Sequence, residues 1–173
     1  VADTYLIDAN VLVQAKNLHY RFEFCGGFWN WLEDGHEAGL LFSVAKVRGE
    51  LVAGRKDDPA RIWAERQPAG FFLDDAATSS VMRQYGSLMT WATSGGHYTQ
   101  AAISEFAASN NADPFIVAAA KVYGATVVTH EKSDPNAKRR IPLPNAADAI
   151  GVATISIYDL LLKHAASTFV FKP

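Results

Sequence analysis

Five short apolar runs, each followed by apolar residues at helical spacing, leave this chain of 173 residues few ways to fold. The runs are Tyr5-Leu6-Ile7, Leu40-Leu41-Phe42, Phe71-Phe72-Leu73, Ala125 to Thr129 and Ala153 to Ile157. Strands this apolar have no polar face for water and suit a sheet covered on both sides. Parallel neighbours need a crossover, and a strand–helix–strand order supplies it. The expected fold is α/β, a three-layer α/β/α sandwich with a mostly parallel central sheet. Residues 1–173 are expected to form one domain.

The helices read as follows. Apolar spacing after Asp8 runs through Asn17, and Gly26-Gly27 reads as a break. Phe28 to Glu37 is the next helix, ended by Gly39. Ser43 reads as the N-cap of a helix whose buried stripe is Val44, Val47 and Leu51. Ala60 to Arg66 follows, and then a helix to Trp91 capped by Asp74 or Asp75. Tyr98 to Ala108 and the segment from Asp113-Pro114 to Tyr123 are also helical, the latter closed by Gly124. Ile141 to Pro144 reads as extended and Ala147 to Ile150 as a helical turn. Tyr158 to Ala166 is helix, and Thr168 to Phe171 a terminal strand.

Composition excludes several classes. Nearly half the residues are hydrophobic and a fifth charged, as in an ordinary globular protein. The net charge of −2 leaves no global basic field, so any nucleic-acid face must be a local patch. Cys25 is the one cysteine, which excludes an intrachain disulfide and a cysteine-rich zinc site and fits a reducing cytoplasm. No apolar run is long enough to span a bilayer, and no signal-peptide pattern is expected.

The chemistry lies in acids released at strand ends. Asp8 directly follows the first strand, and Glu131 follows the fourth. In open α/β sheets, ligands bind outside the carboxyl ends of the strands. Each acid also has an ordinary explanation. Asp8 and Asn10 are good caps for the next helix, and Asp113 reads as the N-cap before a Pro in the first turn. Glu50 sits one turn after Lys46, a pairing worth only about 0.2–0.5 kcal/mol. Gly49 costs that helix roughly 1 kcal/mol against Ala, which suggests a close approach to the backbone beside Glu50. Lys132, Lys138, Arg139 and Arg140, with Lys46 and Arg48, are either solvated or a positive lip for a phosphate backbone. Strand alternation points His130 away from Glu131. Acids gathered at one edge repel one another unless protons or a cation intervene, and hard divalent cations want oxygen ligands.

Leu6-Ile7-Asp8-Ala9-Asn10, Glu50-Leu51, Asp113-Pro114-Phe115-Ile116 and Val127-Val128-Thr129-His130-Glu131, in that order, resemble the PIN-domain ribonucleases, the family of VapC-type toxins. The likeness covers most of the chain, with extra helical material between the second and third acids. It implies a PIN-like α/β/α fold and hydrolysis of RNA. It also implies Mg²⁺ or Mn²⁺ held by catalytic Asp8, Glu50, Asp113 and Glu131. Glu131 falls where the family more often has Asp, and Asp134 competes for that place. Asn10 matches the polar residue after the first acid, and Thr129 the hydroxyl before the fourth. The implied partners are an RNA substrate and a cognate antitoxin protein. A homodimer is compatible with the sequence, a cytoplasmic location is expected, and no membrane contact is.

Two other readings compete. A phosphatase of the haloacid-dehalogenase type also begins with an acid after the first strand, but it wants a second acid two residues on, where this chain has Asn10. A catalytically silent PIN-like module would bind RNA or protein without cutting.

Overall fold

A computed structural model describes residues 3–165. The expected terminal strand Thr168 to Phe171 lies outside the described residues. Strand β1 (Tyr5–Ile7) leads into helix α1 (Ala9–Gln14), which continues as a π-helical turn (Ala15–His19). Helix α2 (Gly26–Glu37) precedes β2 (Leu41–Val44), α3 (Ala45–Val52), α4 (Pro59–Arg66) and β3 (Phe72–Leu73). Then come α5 (Ser79–Thr93), α6 (Gln100–Phe106), α7 (Asp113–Tyr123) and β4 (Thr126–Val128). Helix α8 (Leu143–Ala149), β5 (Thr154–Ile155) and α9 (Ile157–His164) complete the order.

The sheet has the order β3-β2-β1-β4-β5, and every pairing is parallel. Tyr5, Leu6 and Ile7 are buried, as are Val127 and Val128 beside them, because helices cover both faces. Helix α7 packs on β1, β2 and β4, with α5 along it, while α2 packs on β2. Right-handed crossovers put α2 and α7 on opposite faces. The resulting three-layer α/β/α sandwich is the expected fold class. Its central sheet is wholly parallel among the described residues. The first three strands build outward from β1 in one direction, and the last two in the other. The order therefore reverses between β1 and β4, where crevices form in such sheets.

Several local expectations are corrected. Gly26 and Gly27 open α2 rather than break the chain. Its apolar face carries the turn: Phe28, Trp29, Trp31 and Leu32 are all buried. Ser43 is not a cap. Its hydroxyl is buried and donates to the Ile7 carbonyl at 2.6 Å, and its N–H donates to Phe71, so its backbone stays extended. The N-cap passes to Val44. Asp74 and Asp75 do not cap α5, whose N-cap is Thr78. Instead the buried Asp75 carboxylate accepts from the Lys46 N–H at 2.9 Å, capping α3 from a remote strand end. Helix α8 starts earlier than expected, at Leu143, with Pro144 tolerated in its first turn. Ser156 caps α9 by accepting from the Asp159 N–H, which cuts β5 short.

Asp75 gives a test of this cross-element cap. Asp75→Ala leaves a helix-start N–H without its acceptor and should cost about 1–2 kcal/mol. For a chain of this size that lowers Tm by about 2–8 °C. Asp75→Asn keeps an acceptor and should lose less. Thermal melts of the two variants check this; equal losses would mean that charge rather than capping holds Asp75.

A candidate active site of clustered carboxylates

Asp8 ends β1 at the N-cap position of α1, but its side chain makes no capping bond. The backbone is held instead, with the Asp8 N–H donating to Val128 of β4 at 3.0 Å. The carboxylate is 1 % exposed and accepts from the Thr129 hydroxyl at 3.1 Å. Burial pushes its pKa well above the ordinary value, and the negative charges of Asp113 and Glu131 add to the rise. The carboxylate thus meets the Thr129 hydroxyl and the N–H of Ala9 at the start of α1, without the bond to the second or third helical N–H that an N-cap makes.

Thr129 links two acids. Its hydroxyl donates to Asp8 and accepts from the Glu131 N–H at 3.2 Å. Glu131 turns its carboxylate onto the Leu143 N–H, 3.1 Å away at the start of α8. It also faces the Arg140 guanidinium at 3.7 Å. Both contacts anchor Glu131 at the edge of the sheet.

Asp113 is not an N-cap. That position is Ala112, and Asp113 is the first residue of α7. Its N–H donates to the Asn111 side chain at 2.9 Å, so the local capping is done by Asn111. Its carboxyl is pushed up to about 7. Burial is the largest cause, followed by repulsion from Glu131, Glu50 and, more weakly, Glu105; Arg140 opposes the rise. Glu50 reaches toward the site from α3. The residue as a whole is exposed, but its carboxylate end packs on the Ala112 N–H at 2.9 Å. Desolvation there raises its pKa, and the N–H opposes that. The expected Lys46–Glu50 pair does not form: the Lys46 ammonium donates to the Ser109 carbonyl and lies 4.7 Å from the centre of the Phe115 ring.

Asp113, Glu131 and Arg140 line a cleft of ≈ 110 Å³, with Glu105 and Asn111 at its wall. Glu105 and Asn111 were not singled out from the sequence. In the sequence Glu105 is a solvated helix acid and Asn111 a turn residue; only the docking of α6 beside α7 brings them in. Asp134 is elsewhere: it is exposed, and its carboxylate accepts from the Asn136 N–H. Lys132, Lys138 and Arg139 are exposed on the loop after Glu131, and Arg48 is exposed on α3. His130 turns toward Tyr158, with ring centroids 5.7 Å apart, away from the cleft.

A hard divalent cation fits this donor set on two grounds. The gathered groups offer oxygen only, and beyond the effect of burial the charges of neighbouring acids raise the pKa values of Asp8 and Asp113, as like charges do without a counterion. Beside Asp8, the Asn10 side-chain oxygen is buried and has no hydrogen-bond donor among the described residues. No three His, Cys, Asp or Glu among the described residues are grouped so that they could hold a metal ion, so a cation here would rest on one or two carboxylates and keep most of its waters, as Mg²⁺ does.

Fold and site together define a three-layer α/β/α sandwich with carboxylates at the point where strand order reverses. The chain belongs to the family described as a domain of unknown function, DUF4411, whose model matches residues 5–169. No curated protein matches it in sequence. Among solved structures it is similar to one titled "Structure of FitAB bound to IR36 DNA fragment". That match is 17% identical, covers 88% of this chain and 94% of that one, and has a TM-score of 0.49. It is also similar to FitAcB from Neisseria gonorrhoeae, at 16% identity, 88% and 96% coverage and a TM-score of 0.47. Both are likenesses of shape at low identity.

Proposed function

We propose that this chain is a metal-dependent endoribonuclease, acting as the toxin of a toxin–antitoxin pair. One observation carries the reading. Asp8, buried, and Asp113, half-buried, come from separate elements, yet burial first and the charges of neighbouring acids after it raise both. A fold maintains such repulsion at a cost, and the cost is offset when a cation binds.

Asp8, Asp113, Glu50 and Glu131 would hold Mg²⁺ or Mn²⁺, with the Asn10 oxygen in support. The cation would supply positive charge for a phosphodiester oxygen and for orienting the attacking water. Thr129 fixes the direction of the Asp8 carboxylate by its hydroxyl bond. Arg140 stands at the cleft and can hold a phosphate oxygen there, while Lys132, Lys138 and Arg139 offer exposed charge to the flanking backbone. A cognate antitoxin would act by covering this cleft.

The phosphatase reading loses ground at Asn10, which has no proton to give a leaving group. Purified protein should cut RNA with Mg²⁺ or Mn²⁺, stop with a chelator, and leave small phosphate esters intact. Expression without the antitoxin should slow growth of the host. Turnover of small esters would favour the phosphatase, and RNA binding without cleavage the silent module.

A further inference from the structure

Helix α3 holds the start of α7 at two points. Lys46 and Glu50 lie one turn apart on α3 and share a face. They reach past each other to the chain ahead of Asp113. The Lys46 ammonium donates to the Ser109 carbonyl at 2.9 Å, and the Glu50 carboxylate accepts from the Ala112 N–H at 2.9 Å. A cation holds a carbonyl, and an anion holds an N–H three residues on. Asp75 fixes α3 in turn, by accepting from the Lys46 N–H.

The N–H groups at the start of α7 show what Glu50 does there. Ala112 is the N-cap residue and is wholly buried. Its N–H goes to Glu50, 62 residues away in the chain. The Asp113 N–H goes to the Asn111 side chain, Pro114 has none, and the Phe115 N–H donates to the Ala112 carbonyl. A buried N–H without an acceptor is costly, and Glu50 prevents that at Ala112. Both peptide groups before the Asp113 Cα are therefore fixed, one by Glu50 and one by Asn111. Glu50 itself faces elsewhere. Asp113 and Glu131 line the acid cleft, whereas Glu50 borders a separate cleft with Lys46, Ser109 and Asn110. Gly49 beside it is not explained by a close approach, contrary to the expectation from the sequence: a Cβ there would meet nothing within 4 Å.

We propose that Glu50 is a positioning residue: with Lys46 it clamps the segment 109–112, sets where Asp113 stands, and is not itself a ligand of the cation. The family resemblance implies a ligand at this position, and the contacts give it a different task. The proposal rests on the metal-dependent reading and narrows the acids that meet the cation to Asp8, Asp113 and Glu131. Groups that orient a ligand from outside commonly contribute about 10–100-fold in metal affinity.

The test compares variants of the full chain by metal-free melts and by Mn²⁺ titration, with free Mn²⁺ read by electron paramagnetic resonance. Glu50→Gln keeps an oxygen for the Ala112 N–H. It should melt with the parent and bind Mn²⁺ within about threefold of it, short of the roughly tenfold that losing a ligand's support costs. Glu50→Ala strands that N–H and should lower Tm by about 2–8 °C. It should also weaken Mn²⁺ binding by about tenfold or more. Adding Gly49→Ala to Glu50→Ala should return about 2–4 °C, because alanine is the better helix former, without returning Mn²⁺ affinity. Lys46→Met removes a positive charge, which by charge alone would tighten Mn²⁺; loss of the clamp should weaken it instead. Tighter binding by Lys46→Met would overturn the clamp. If Glu50→Gln melted with the parent but lost Mn²⁺ as fully as Glu50→Ala, Glu50 would be a ligand and the proposal wrong. Parent-like Mn²⁺ binding by Glu50→Ala at a lower Tm would make Glu50 a stabilising cap and nothing more, which also sinks it. These outcomes remove this proposal alone. A parent that binds no Mn²⁺ removes the metal-dependent reading first, and this proposal with it.

Discussion

Asp8→Asn should lose RNA cleavage by about a hundredfold or more, equivalent to about 2.7 kcal/mol of barrier, while remaining folded. Asparagine keeps the size of the side chain and an oxygen for the Thr129 hydroxyl, whose bond to Asp8 is 3.1 Å. It removes the carboxyl group that is wholly buried at the reversal of strand order. Losing that charge also removes a desolvation penalty, so metal-free Asp8→Asn should melt at or above the parent temperature. Glu131→Gln should also lose cleavage, because Asp134 stands exposed on its own turn and does not replace it. Single-turnover cleavage and thermal melts measured on the same preparations give both results. In the host, Asp8→Asn should relieve the growth defect; equal harm from parent and variant would mean that the harm is not cleavage. Cleavage that survives both Asp8→Asn and a chelator, once contaminating ribonuclease is excluded, would overturn the assignment.

Metal-free protein should lose stability as pH rises from about 4 to 8, and Asp113→Asn should abolish much of that loss. The Asp113 carboxyl titrates at about 7 when folded, against 3.8 for an unperturbed Asp. Between these values the folded state binds the proton and the unfolded state does not, so stability falls with rising pH. This contribution is fully present below the unfolded value and is lost as pH rises through the folded one. At about 1.4 kcal/mol per pKa unit, and roughly halved because the side chain is partly exposed, it amounts to about 2 kcal/mol. The variant should therefore melt about 4–8 °C above the parent at pH 8 and close to it at pH 4. His130, whose pKa burial lowers, works in the opposite direction near neutrality. The difference between parent and variant cancels that effect, which is why the comparison and not the bare profile is decisive. Mg²⁺ or Mn²⁺ at pH 8 should raise the parent's Tm and leave the variant less affected, since a ligand bound only by the folded state stabilises it. A variant less stable than the parent at pH 8 would make Asp113 structural.

The corrections share one cause. Ser43, Asp74, Asp75 and Asp113 are all good capping residues, and local propensity places each at the nearest helix start. In the fold, Ser43 serves the Ile7 carbonyl, Asp75 caps α3 across 29 residues, and Asn111 takes the place of Asp113. The acceptors are assigned by what packs beside them, and that is a property of the sheet. Gly49 shows the same limit. A costly glycine was legible as a signal, but only the folded surface shows that the space it leaves opens outward.

What the sequence determined by itself is the period of its hydrophobic pattern. Short wholly apolar runs must be buried on both faces, and the helical spacing between them supplies the crossovers; a parallel sheet under two helical layers is the arrangement that satisfies both. Because side chains change environment abruptly at a strand end, Asp8 and Glu131 could be assigned to the same sheet edge from the sequence alone. Tertiary structure decided which groups meet there. The order β3-β2-β1-β4-β5 puts β1 next to β4, so Asp8 and Glu131 become neighbours across 123 residues of chain. Glu105 and Arg140 join them only because α6 and the loop before α8 fold over the same edge. Their charges act through space over a few ångströms, and no spacing along the chain encodes that distance.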